Sequence, residues 1–239
     1  MNWDEFVSNI RTDMNDKSTP PKYSDDLLYV YFRSAIWDVS MYFPRRFDHV
    51  TLVVDAADPK KFALPAGFIS AILVECPGDN ALSQKRVRSG YRRVPSTQPM
   101  FYELDGNHLY LDASPSGATV LLSYYGAHGL PVVVTGEGGK KSYVSEITET
   151  VGGVTTHLPF TLTVPDRDIE LVALYVKALI NQKEQSKQSM LDRFKMGSGS
   201  REDNPVAPET RNCFAEYNHK LAERTGRTIF LVRPRKYRR

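Results

Sequence analysis

The residues best suited to chemistry in this 239-residue chain are its basic ones, and they gather in two places. Lys85, Arg86 and Arg88 form the first group, continued by Arg92 and Arg93 beyond Ser89-Gly90-Tyr91. Alternating cations on a strand or loop can neutralise phosphates, which gives sequence-independent binding that weakens with salt. The same run also suits an ordinary solvated loop. The second group is denser: Arg233, Arg235, Lys236, Arg238 and Arg239 fill five of the last seven positions. Pro234 keeps this stretch from forming a regular helix. A basic terminal arm can stay extended, bind nucleic acid, or dock into an acidic groove. The preceding Ile229, Phe230, Leu231 and Val232 are too apolar for a wholly free tail. Docking is therefore expected, by adding a strand to a partner's sheet, with Tyr237 inside the docking segment.

Other chemistry lacks its residues. Gly136-Glu137-Gly138-Gly139-Lys140-Lys141 has glycines and lysines but not the spacing of a phosphate loop. A mobile hairpin tip is expected there. No G-x-S-x-G elbow occurs. His49, His108, His128, His157 and His219 never fall at finger or helical spacing, so no zinc site is expected. Cys76 and Cys213 are far apart and lack metal-ligand neighbours, which points to a reducing compartment and packed thiols. Asp166 and Asp168 read as helix-start charges rather than a catalytic pair. No catalytic, cofactor or metal residue is assigned, and the chain is not expected to be an enzyme.

The elements that must carry the basic groups follow from period. Composition is ordinary for a globular protein, at 41% apolar and 25% charged with a net charge of +3. The acidic start, Met1-Asn2-Trp3-Asp4-Glu5, is unlike a signal peptide. No apolar run approaches the ~20 residues of a membrane helix. Trp3, Phe6, Val7 and Ile10 predict a first helix, broken at Ser18-Thr19-Pro20-Pro21. Ser24 is a candidate cap for a second, whose core face is Leu27, Leu28, Tyr31, Phe32, Ala35, Val39 and Tyr42. Pro44 ends it. Strands are predicted at 50–54, 68–76, 101–104, 108–111 and 118–125, with Asp105-Gly106-Asn107 as a hairpin turn. Weaker strands fall at 131–135, 141–147 and 158–164. The Gly- and Thr-rich stretch 136–156 reads as a long loop or exposed hairpin. A long helix starts at Pro165-Asp166, and 197–209 reads as a linker. A last helix is expected over 209–224.

This order predicts an α+β protein. A helical bundle is expected from 1–47 and 165–226, with an antiparallel β insertion at 48–164 and an extended basic docking tail at 227–239.

Several segments, taken in order, resemble one family. Tyr23-Ser24-Asp25-Asp26-Leu27-Leu28 through Ala35 to Pro44 is similar to the opening helix of the head–tail connector adaptors of tailed bacteriophages. Leu64-Pro65-Ala66-Gly67-Phe68-Ile69 is similar to that family's lead into its β section. Gln98 to Leu104, Leu109 to Pro115 and Val120 to Tyr125 are similar to its strands, and Leu174 to Ala178 with Phe194 to its returning helix. The Gly-rich 136–156 and the length of the insertion depart from the pattern.

The resemblance implies a structural virion protein of the head–tail neck, assembled in the host cytoplasm. It implies a ring, commonly twelvefold, beneath the portal protein and above a tail or nozzle protein. Such a ring lines a DNA channel and makes non-specific contact with the DNA; no cofactor and no membrane are implied. Residues 228–239 would reach the portal. Two other readings compete. A nucleic-acid-binding module would use 85–93 and the tail. A sugar-binding β section would stack ligands on Tyr91, Phe101, Tyr102, Tyr110, Tyr124 and Tyr125, although alternating aromatics also make sheet core.

Overall fold

Asn2 begins the first helix by a reciprocal cap. Its Oδ1 accepts from the Glu5 amide at 2.8 Å, and Glu5 accepts from the Asn2 amide at 2.9 Å. Helix α1 (Trp3–Asp13) then buries Trp3, Phe6, Val7 and Ile10, as its spacing predicts. Helix α2 (Asp25–Tyr42) starts after Ser24, whose hydroxyl accepts from the Leu27 amide. Its buried face is Leu28, Phe32, Ala35, Ile36 and Val39, with Ser40 donating to the Ile36 carbonyl at 2.6 Å. The face is rotated from the one expected: Leu27 and Tyr31 are only half-buried and Tyr42 is exposed. The computed structural model describes residues 1–55, 58–76, 80–84, 99–115, 119–139, 141–151, 154–195 and 206–226.

The chain is a mixed α+β protein, with four helices and three sheets among the described residues. It forms two compact units, Met1–Tyr42 with Gly129–Arg239, and Phe43–His128. The second unit is narrower than the insertion expected at 48–164.

That unit holds strands β1 (Arg45–Leu52), β2 (Val54–Asp55), β3 (Asp58–Ala63), β4 (Phe68–Cys76), β5 (Asn80–Ala81), β6 (Ser83–Gln84), β7 (Phe101–Asp105), β8 (His108–Leu111) and β9 (Val120–Gly126). One sheet runs β1-β9-β4-β5 and another β2-β3-β8-β7-β6. The first is antiparallel; in the second only β6 and β7 run parallel. A single core draws Leu52, Val74, Val120 and Leu122 from one sheet and Phe62, Tyr102, Leu109 and Leu111 from the other. Gly106, at φ +57°, makes the tight β7–β8 turn that its sequence predicts. At Gly126 a side chain has no room, since a Cβ would lie 2.8 Å from the Tyr124 ring.

The first unit adds strands β10 (Val132–Thr135), β11 (Lys141–Val151) and β12 (Val154–Pro159), which form an antiparallel sheet. The stretch 136–156 is thus largely an exposed hairpin. The expected strand at 158–164 stops at Pro159 instead, because the following backbone bonds to the N-terminus: Trp3 donates to the Phe160 carbonyl at 3.1 Å and Leu162 to the Met1 carbonyl at 3.0 Å. Side chains explain why this sheet groups with the helices. Asp26 of α2 accepts from Lys141 Nζ at 2.7 Å and from the Tyr143 hydroxyl at 2.6 Å. The Tyr143 ring lies 5.0 Å from Trp3 and 5.2 Å from Tyr29. Helices α3 (Asp166–Lys195) and α4 (Val206–Thr225) complete the unit, and α3 packs against each of the other three helices. Helix α4 begins three residues earlier than expected and takes in the end of the expected linker; Pro208 falls in its first turn, where a missing N–H is tolerated.

Candidate functional site

The tail read as a docking segment, 227–239, lies outside the described residues, as do Lys85, Arg86, Arg88, Arg92 and Arg93. What the structure places is the frame on which each is mounted. Residues 85–98 leave from β6 and return at β7. These two strands pair in parallel, Ser83 opposite Phe101 and Gln84 opposite Tyr102, and the Ser83 amide donates to the Met100 carbonyl at 3.1 Å.

The tail follows Gly226 at the end of α4, and α4 is held to α3 by charge as well as by packing. Asp168 is 1% exposed. Its carboxylate accepts from Arg224, and the more exposed Arg167 approaches it at 3.4 Å. A buried carboxylate is tolerable only with such a partner. One turn away Lys220 pairs with Glu170 and, at 3.4 Å, with Glu216. The hydrogen bond from Lys220 holds the Glu170 carboxyl below its usual range, and the same bond holds the Lys220 ammonium above its own. Between these ion pairs Tyr217 and Leu221 are buried, and the Tyr217 ring meets Tyr175 edge-on at 5.1 Å. The Tyr217 hydroxyl donates to Asp38 of α2. Burial pushes the Asp38 carboxyl up and that hydrogen bond only partly offsets it. Nearer the start of α4, Asn181 donates to the Cys213 sulfur at 3.7 Å. The base of the tail is therefore fixed by interactions with two other helices.

A cleft of about 700 Å³ opens between α1, residues 16–25 and the β11–β12 hairpin. Its charged groups are mostly satisfied internally. Arg11 donates to the Tyr23 carbonyl at 3.0 Å and to Asp25 at 2.7 Å, and Asp16 accepts from the Lys22 and Tyr23 amides. These amides draw Asp16 below its usual range despite the opposing effect of desolvation. The Arg11 Nε, buried at its wall, has no hydrogen-bond partner among the described residues.

The histidines are dispersed. His49 lies 3.3 Å from Glu75, His128 Nε2 2.9 Å from the Phe43 carbonyl, His157 3.3 Å from the Ser145 carbonyl and His219 3.2 Å from Glu223. Among the described residues no group of three or more His, Cys, Asp or Glu could hold a metal. Both cysteines are free, and burial pushes each thiol up, away from the reactive thiolate. Tyr102 and Tyr124, candidates for stacking on a sugar, are in the β core; Phe101 and Tyr110 are half-buried, Tyr125 is exposed, and Tyr91 lies outside the described residues. Among the described residues no helix is long and apolar enough to cross a membrane.

Sequence reasoning missed a second apolar face on α2. Val30, Trp37 and Met41 are 55%, 51% and 54% exposed. Their seven- and four-residue spacing was the available signal, hidden by the stronger core face of the same helix. No known protein-family model matches the chain, and no curated protein matches its sequence.

Proposed function

We propose that this chain is a head-to-tail adaptor, a structural protein that joins a phage portal to the tail as a ring around a DNA channel. The observation that carries the reading is the ion-paired seat of α4, which gives the basic, partly apolar segment 227–239 a fixed point of departure. A docking arm needs such an anchor, because only a firmly held base passes the binding of the arm on to the body. The order of elements supports the same reading: a β unit, Phe43–His128, interrupts a chain whose helices lie on either side of it in sequence. The helical bundle with an inserted β domain is the architecture this adaptor reading uses. Binding the portal through an arm also keeps single copies apart until the portal is present, since the cost of ordering the arm is offset only on contact. The 85–93 group then meets channel DNA or a partner.

The test is the mass of the full chain by light scattering, alone and with the portal protein. A monomer that becomes a stoichiometric ring with the portal is the expected result. Deleting 228–239 should leave a folded chain, by circular dichroism, that no longer joins the portal. Retained co-assembly of the truncated chain would remove the tail from the proposal. A chain that ignores the portal yet binds duplex DNA with steep salt dependence would replace the adaptor reading by a nucleic-acid module.

A further inference from the structure

We propose that the outer face of α2 is the seat for α4 of a second copy of this chain, so that copies join head to tail; this rests on the ring-forming reading above. Helix α2 already buries one face in its own unit. Its opposite face carries Val30, Trp37 and Met41, each more than half exposed. With Ser34 between them the steps are four, three and four residues, the pattern of a seam for another helix. A lone exposed apolar residue needs no account, but three along one seam do.

Helix α4 supplies the matching surface. Its inner side meets α3, and its outer side presents Asn212, Ala215, His219 and Ala222 at steps of three, four and three. Ala215 is exposed and small, so the Trp37 side chain of the neighbouring copy can pack over it as a knob. Charge agrees with shape. Arg33 is exposed beside the α2 seam and has no ion-pair partner among the described residues. Glu209, Glu216 and Glu223 stand at seven-residue steps beside the α4 seam, all exposed. Opposite charges flanking two complementary seams favour this pairing over an α2–α2 contact, which would set Arg33 against Arg33. The two seams are different surfaces of one chain, and a contact between different surfaces repeats and closes into a ring when the rotation fits.

Cysteine pairing tests the contact directly. In a full chain carrying Cys76→Ser and Cys213→Ser, Trp37→Cys and Ala215→Cys are introduced together or singly, and the ring formed with the portal is oxidised. The doubly substituted chain should give a ladder of linked copies, a mixture of the two single variants only linked pairs, and each single variant no links. Self-linking of Trp37→Cys alone would mean a symmetric contact, and its linking to the portal would mean that the portal occupies the seam; either overturns the proposal. A complete ring with no links overturns it too. Trp37→Glu, at a half-exposed site, should keep the wild-type circular dichroism and weaken ring formation by at least about tenfold, while single copies still bind the portal. Arg33→Glu should weaken it less and be rescued by Glu216→Lys. Wild-type assembly of Trp37→Glu removes the seam and leaves the adaptor reading standing. A wild-type chain that forms no ring removes both.

Discussion

At the scale of single residues, two polar positions are set by what surrounds them. His49 sits at φ +52°, where β1 slips register between Phe47 and Val50, and its amide donates to the buried Ser123 hydroxyl at 3.1 Å. A non-glycine residue at positive φ persists only where neighbours hold it. Ser123→Ala removes that acceptor and should destabilise the β unit by about 1–3 kcal/mol; denaturant unfolding followed in this unit would show it. Asp38 presents the opposite sign. Burial raises its carboxyl above the ordinary range. A group whose folded-state pKa is raised in this way costs stability as a carboxylate, and stability returns as pH falls through the raised value. Asp38→Asn keeps an acceptor for Tyr217 without the charge. The variant should melt no lower than wild type at about pH 7 and show a smaller gain on acidification to about pH 5. Earlier melting at neutral pH would mean that the charged form is the stabilising one.

At the scale of elements, α4 depends on a contact that bridges distant sequence. Arg224→Met leaves Asp168 buried with, among the described residues, only the exposed Arg167 paired to it, and should cost about 3 kcal/mol. The loss belongs to the docking of α4. Hydrogen exchange should therefore quicken over 206–226 and stay unchanged in the β unit. Arg224→Lys should restore only part of it, since one ammonium cannot reach both Asp168 and Glu170 as the guanidinium does. The same pair marks where the sequence could be read and where it could not. Caps, turns and periodic faces act within a few residues, so α1, the β7–β8 hairpin and the start of α3 at Asp166 were legible. Asp168 looked like an ordinary first-turn acid, because its partner is 56 residues away. The two-residue strands β2, β5 and β6 carry no period to detect. The strands β10 to β12 looked like part of the insertion because strand propensity does not say which core a strand joins; Asp26 and Trp3 settle that through Lys141 and Tyr143. Both basic groups were visible in the sequence, while the surface on α2 was masked by its own inner face.

At the scale of the whole molecule, the two compact units are built by different means. The β unit draws one core from two sheets. The other joins the start of the sequence to segments far along it: Met1 and Trp3 bond to Leu162 and Phe160, and Lys177 of α3 pairs with Asp13 of α1. Contacts of such long sequence separation can form only after much of the chain has been made, so this unit is expected to complete its folding after the β unit.

The hydrogen bond between His128 Nε2 and the Phe43 carbonyl, 2.9 Å long, joins the two ends of the β unit. That bond closes the unit on its own two end residues. Closing a loop of almost any length on such a bond costs nearly the same, since the entropy grows only with the logarithm of length. Lengthening the chain between these two residues should therefore cost little in closing them: doubling it adds only about 0.6 kcal/mol.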